Sequence, residues 1–338
     1  MINLKCIKLF RNIKWTSPYI IIQNNLYLNS KDGVYFFNFS NLDFEKIIDK
    51  EIESIIISKN NVFYQKENGE DLFELFNDKK IFGKFFLART LIFNDKIVFK
   101  GKNKNNEKVI YELDGFKIKE SEINQLPDFV FNNKYYLCLS LKTVNVFDIN
   151  NQIIWQQSFS DLLPSQETEE ISISQEIIEI SNVIYFTLNT NNQNICFGLD
   201  AQTGKVVKQF PNILGDLIQE NEYIYFLYYN SITRLNTTND TIEKWDIQDL
   251  LDKEDIGYLY FPRWAVLDGQ IYFSQTKGSD IHSGKIGARF GVLDFNKREL
   301  IFKDQLDPKY GTIGSIKASK ERLYLHTQDS TLHVFEKE

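Results

Sequence analysis

The chain has few of the residues that usually announce a chemistry. Three of its 338 residues are cysteine and three are histidine. Cys6, Cys138 and Cys196 are odd in number and far apart, which excludes a disulfide framework and a thiolate metal cluster. His282, His326 and His333 lack zincin spacing, and no nearby Cys or His completes a ligand set. No G-x-S-x-G elbow, Walker loop or EF-type calcium spacing occurs. Ser279, Asp280 and His282 share one loop, but a triad gathers its groups from separate segments. No stretch of about 18 uncharged apolar residues exists, so no transmembrane helix is expected. Lys5, Lys8, Arg11 and Lys14 interrupt any apolar signal core at the start, and a reducing cytoplasm is the expected compartment. A basic excess is also missing. Lys and Arg number 39 against 46 Asp and Glu, a net charge of -7, which argues against nucleic acid or an anionic membrane as the main partner.

What is abundant is apolar and aromatic. Hydrophobic residues make up 43% and aromatics 14%, enough for a full core and too much for a disordered chain. A short tag recurs, a polar turn followed by an alternating apolar-aromatic run. Copies are Asn24-Asn25-Leu26-Tyr27-Leu28, Asn60-Asn61-Val62-Phe63-Tyr64, Asn94-Asp95-Lys96-Ile97-Val98-Phe99 and Asn132-Asn133-Lys134-Tyr135-Tyr136-Leu137. Four more are Ser181-Asn182-Val183-Ile184-Tyr185-Phe186, Asn221-Glu222-Tyr223-Ile224-Tyr225-Phe226, Asp268-Gly269-Gln270-Ile271-Tyr272-Phe273 and Lys320-Glu321-Arg322-Leu323-Tyr324-Leu325. Counted from Leu26, Val62, Ile97, Tyr135, Ile184, Ile224, Ile271 and Leu323, the spacings are 36, 35, 38, 49, 40, 47 and 52 residues. A period near 40 in β-type sequence is the mark of a propeller with about four strands per blade. The expected fold is all-β: one β-propeller over 1–338, with eight four-stranded antiparallel blades, or seven if one tag lies outside a blade.

The first unit reads as strands A to D over 19–23, 26–29, 34–39 and 44–48, and the fourth over 128–131, 135–140, 144–149 and 152–156. The last unit ends after its C strand, 331–335, while the segment 3–10 precedes the first A strand with no partner there. Docking that segment as the missing outer strand closes the last blade and removes two open sheet edges. One short helical turn is expected near 250–255. His326 and His333 fall on or beside the last B and C strands and are expected on the surface.

The run Gly198-Leu199-Asp200-Ala201-Gln202-Thr203-Gly204-Lys205-Val206-Val207 resembles the repeat of PQQ-like (quinoprotein-type) β-propellers. There a C strand ends in Leu-Asp, and a Thr-Gly turn leads to a D strand that often ends in Trp. Similar copies are Tyr111-Glu112-Leu113-Asp114-Gly115, Val146-Phe147-Asp148-Ile149-Asn150 leading to Ile154-Trp155, and Val292-Leu293-Asp294-Phe295-Asn296. Phe210 sits near the expected Trp position. The resemblance implies a propeller, in a family holding both enzymes and non-catalytic scaffold or immunity proteins. Its quinoprotein dehydrogenases resemble one another in an adjacent cysteine pair beside the cofactor. No two cysteines here are adjacent, so no cofactor is expected. The Asp, Thr and Gly residues of these runs read as caps of the C–D turns.

Insertions carry the functional expectation. In an antiparallel meander the B–C and D–A connections lie at one end of a blade. The four long connections, 160–170, 246–263, 276–289 and 305–312, are all of those two kinds. Long loops on a rigid scaffold are common binding elements. Their charges are -4, -3, +2 and zero, and so hold most of the chain's net charge. Asp161, Glu167, Glu169, Glu170, Asp249, Asp252, Glu254 and Asp255, with Tyr258, Tyr260, Lys285 and Arg289, are the expected partner-binding residues. Phe261 and Trp264 are expected in the core. Acids around aromatic anchors suit a basic protein partner. The expected function is a non-catalytic, monomeric, cytoplasmic protein-binding propeller, such as an immunity-type inhibitor of a basic toxin domain. The alternative is a PQQ-like enzyme or small-ligand binder using the central channel mouth.

Overall fold

The computed structural model describes residues 3–14, 19–22, 25–40, 43–58, 61–66, 72–74, 80–82, 85–93, 96–103, 105, 107–123, 125–132, 134–140, 142–163, 171–173, 176–190, 193–257, 259–275 and 285–338. The chain is an eight-bladed β-propeller: every tag begins or occupies the B strand of an antiparallel sheet. Blades 1 to 4 take their A, B, C and D strands in chain order. Blade 1 is Tyr19–Ile22, Asn25–Ser30, Gly33–Asn38 and Phe44–Ile48; blade 4 is Phe129–Phe131, Tyr135–Leu139, Thr143–Asp148 and Ile153–Ser158. Blades 2 and 3 span 52–82 and 85–120. Blade 5 runs from Ile178–Ile180 through Val183–Asn189 and Asn194–Asp200 to Val206–Pro211, with Ser172–Ile173 also paired to its B strand. Blade 6 is Asp216–Glu220, Tyr223–Tyr228, Ser231–Asn236 and Ile242–Asp246, and blade 7 is Leu259–Leu267, Gln270–Gln275, Arg289–Asp294 and Glu299–Gln305.

Blade 8 takes Ile313–Ala318, Arg322–Thr327 and Leu332–Lys337 from the chain's end and its outer strand, Leu4–Phe10, from the beginning. Leu4 pairs with Lys337 and Phe10 with Leu332, so the first strand supplies the edge that the last repeat lacks. Leu4 and Phe10 are buried, while the residues between them are mostly exposed, as an outer strand requires.

Two compact units make up the chain. One comprises Asn12–Thr168 with Gln202–Gly204 and holds blades 1 to 4; the other comprises Met1–Arg11, Glu169–Ala201 and Lys205–Glu338 and holds blades 5 to 8. Within each, the B strands are buried on both faces, which is why the tags read as unbroken apolar runs rather than alternating ones. Tyr185, Tyr225, Tyr272 and Tyr324 are among the largest fully buried side chains. Burial pushes the Tyr272 phenol well above its usual range, and its hydroxyl donates to Gln270 Oε1 at 2.8 Å. Apolar clusters fill the space between successive blades; Leu227, Ile232, Trp264 and Phe273 belong to one between blades 6 and 7. Trp264 is thus in the core as expected, while the Phe261 side chain lies outside the described residues.

Several C–D turns are capped by the side chain that ends the C strand. Asp148 Oδ1 accepts from the backbone N–H groups of Asn150 and Gln152, both at 2.8 Å. Asp294 and Asn236 cap their turns in the same way. Phe210 pairs with Cys196 and Trp245 with Ile232, each four residues before the end of its C strand, so these two aromatics share a register position.

Candidate functional site

At one end of blades 6 to 8 the connections pack on one another. The segment expected as a loop over 246–263 is shorter, because Asp246 ends one strand and 259–263 belong to the next, whose register shifts between Leu259 and Trp264. Between them lies the helix Gln248–Lys253, where a helical turn was expected. Ile247, Leu251, Ile256 and Leu259 are fully buried in the blade 6–7 core, and this anchoring turns Asp249, Asp252 and Lys253 outward. The two ends of this segment clasp the B–C hairpin of blade 6: Ile247 N–H donates to Asn230 O and Leu259 N–H to Tyr229 O, both at 2.8 Å. Asn230 Nδ2 also donates to Gln248 Oε1 at 3.1 Å.

Ion pairs tie the helix segment to blade 7. Arg289 Nη2 lies 3.2 Å from Asp255 Oδ2, and its other terminal nitrogen donates to the Asp255 carbonyl. Lys303 Nζ lies 3.0 Å from Glu254 Oε2. Leu306 N–H donates to Ala288 O at 2.9 Å, and Gln305 Nε2 to Gly287 O at 3.2 Å, joining the 285–288 and 306–312 segments. Of the expected partner-binding residues, Glu254, Asp255 and Arg289 form ion pairs within the fold, Asp255 with its side chain still largely exposed, and Asp249, Asp252 and Lys285 are exposed as well. Asp161 is exposed in the short helix Phe159–Leu162 of the other unit. Glu167, Glu169, Glu170, Tyr258 and the Tyr260 side chain lie outside the described residues, as do Ser279, Asp280 and His282.

The surface expectation for two histidines is corrected. His326 and His333 are 1% and 2% exposed. The B and C strands of blade 8 are covered on both faces, so the polar ring on a B strand is enclosed like its apolar equivalents. Thr327 Oγ1 lies 3.2 Å from His333 Nε2, the Thr327 and Thr331 hydroxyls both donate to Asp329, and Tyr310 meets the His333 ring edge-on at 4.5 Å. Burial pulls His333 down to about 4, so the ring is neutral at pH 7.

Two features were not singled out by the sequence. Asp216 starts the A strand of blade 6, and half-burial with the nearby Glu176 charge pushes it up to about 6 against the pull of Arg263. Tyr229 is exposed at the tip of a two-residue hairpin with φ +43°. A tyrosine where turns take Gly, Asn or Asp was the legible signal for it. Among the described residues no group of three or more His, Cys, Asp or Glu side chains is placed to hold a metal ion. No described helix is long and apolar enough to cross a membrane.

No family model matches the chain, and no curated protein matches it. Solved structures do. BamB from Moraxella catarrhalis superposes with a TM-score of 0.59 at 12% identity, over 99% of this chain and 100% of that one. The computationally designed Ika8 protein superposes with a TM-score of 0.56 at 11% identity, over 95% of each chain. At such identities the likeness is one of fold.

Proposed function

We propose that the chain is a non-catalytic protein-binding propeller that engages its partner at the B–C and D–A end of blades 6 to 8. The observation that carries this is the set of acids exposed there. Glu254 and Asp255 are paired with Lys303 and Arg289 and hold the segments together, and Asp246, Asp249, Asp252 and the largely exposed Asp255 stand at the surface of the platform so formed. Exposed acids on a rigid frame attract a basic surface and speed its docking. The partner is thus a basic protein, and the compartment a cytoplasm. An immunity-type inhibitor covering a basic toxin domain is the narrower form of this reading. The capped C–D turns and the Leu199-Asp200 to Gly204 run support repeats of the PQQ-like type.

Site-specific photo-cross-linking in the native cell tests this. A photoreactive residue at position 249 is expected to capture one basic protein, and the same probe at Asp240, at the other end of blade 6, is not. Equal capture from both positions, or capture only from position 240, would remove the assigned face.

A further inference from the structure

The outer strands of the blades differ in charge. A strand that ends a sheet leaves a row of main-chain N–H and C=O groups able to pair with another chain, and proteins commonly blunt such edges with lysine. Lys5, Lys46, Lys80, Lys117, Lys208, Lys244 and Lys303 stand in the outer strands of seven blades. The outer strand of blade 4, Ile153–Ser158, has no lysine, and no charged residue occurs from Ile149 to Ser160.

That strand is anchored on one side and exposed on the other. Trp155 is buried, and a Cβ on Gly204 would come within 2.6 Å of its indole. Ile153 and Ile154 are 59% and 41% exposed, and Gln156 is exposed as well. The ladder with Thr143–Asp148 fixes the direction of each main-chain group. Phe159 N–H donates to Lys142 O at 2.9 Å, so in the same register Gln157 and Trp155 bond inward to Val144 and Val146. Gln156 and Ser158, alternating with them, turn their N–H and C=O groups away from the sheet. Among the described residues no strand pairs with this edge.

We propose that this edge pairs antiparallel with the same edge of a second copy, joining two chains through their blade 4 sheets. The occupant follows from charge. About a twofold axis residue i faces j and j faces i, so a strand bearing lysine meets lysine from its own copy, and like charges placed opposite destabilise a pair. The uncharged strand meets its copy without that repulsion, and glutamine side chains pair with their like through amide hydrogen bonds. One edge accepts one copy, so assembly stops at a dimer, in place of the monomer expected from the sequence. Pairing of this edge needs nothing from the acidic platform of blades 6 to 8.

Sedimentation velocity of the full chain tests this, in reducing buffer so that the exposed Cys6 does not cross-link copies. The parent is expected to be a dimer at ~50 μM and to dissociate on dilution. Gln156→Lys and Gln156→Glu are each expected to weaken the dimer about tenfold, and an equimolar mixture of the two to restore it, because residue 156 lies at the middle of the paired segment. Val207→Lys, in the outer strand of blade 5, is expected to leave the dimer intact. Hydrogen exchange needs no variant: the Gln156 and Ser158 amides are expected to be protected at high concentration and to exchange freely on dilution. A parent that is monomeric at ~50 μM would overturn the proposal, as would a dimer unmoved by either charge, open-ended assembly, or amides that exchange alike at every concentration. Loss of the dimer in both variants without recovery on mixing would mean that the edge meets a different strand, and self-pairing falls.

Discussion

Thr327 Oγ1 lies 3.2 Å from His333 Nε2, and both side chains are closed off from solvent. The threonine hydroxyl also faces Asp329 Oδ1 at 2.7 Å and Thr331 O at 2.9 Å, and its single proton goes to one of these acceptors. It therefore accepts from His333, which assigns the neutral ring its proton on Nε2. This network predicts a pH dependence. The folded pKa of about 4 lies below the ordinary 6.5, so the unfolded chain takes up a proton first. Stability from this group is complete above pH 6.5, falls as the pH drops toward 4, and changes no further below. The loss is on the order of 3 kcal/mol at most. Urea unfolding of His333→Leu across that window is expected to give a flatter pH profile than the parent; parallel profiles would refute it.

Asp216 titrates with the opposite consequence. Its carboxyl is raised to about 6, so the folded state holds the proton more strongly and the charged form is a penalty at neutral pH. That penalty is relieved as the pH falls from about 6 toward 3.8, the ordinary value. Asp216→Asn is expected to raise the thermal midpoint at pH 7.5 and to leave it nearly unchanged at pH 4. A lower midpoint at pH 7.5 would show instead that the ionised carboxylate supports the fold through Arg263.

Closure of blade 8 predicts a large effect from a small deletion. Removing residues 1–10 takes away the strand paired with Leu332–Lys337 and uncovers the cluster around Leu4 and Phe335. Leu4→Ala or Phe10→Ala alone is expected to cost about 2–5 kcal/mol, as for other buried large-to-small changes. The deletion should cost more. Calorimetry showing the deletion variant as stable as the parent would contradict the pairing.

Gly204 meets two demands at once. Its φ is +70°, and a Cβ placed there would come within 2.6 Å of the Trp155 indole. Gly204→Ala is therefore expected to destabilise by about 1–3 kcal/mol, the range for overpacking. Combining it with Trp155→Leu should restore part of that loss, giving non-additivity by chemical denaturation. Strict additivity would leave backbone conformation as the whole effect.

The repeat was legible because a B strand buried on both faces needs unbroken apolar residues, and a hairpin between strands needs Asn, Asp or Gly. Ile184-Tyr185-Phe186 and Ile271-Tyr272-Phe273 show this pairing of turn and strand plainly. Strand order within the blades, the eight-blade count and the docking of the first strand on the last followed from that period. The candidate site was less legible. Charge pointed to the long connections, yet composition does not show that Asp255 is paired with a residue 34 positions away.

Sequence alone determined the local rules: where strands start, where turns reverse, and which edge strand was missing. The first two are set by neighbours within a few residues, through periodicity and turn conformation, and the third by the count of strands in each repeat. The tertiary structure alone decided which polar groups are enclosed and which charges are spent. His326 and His333 are buried by chain that is distant in sequence, and Arg289 and Lys303 neutralise two acids of another blade's connection. Desolvation and ion pairing depend on distance in space, and that distance exists only once the blades have packed.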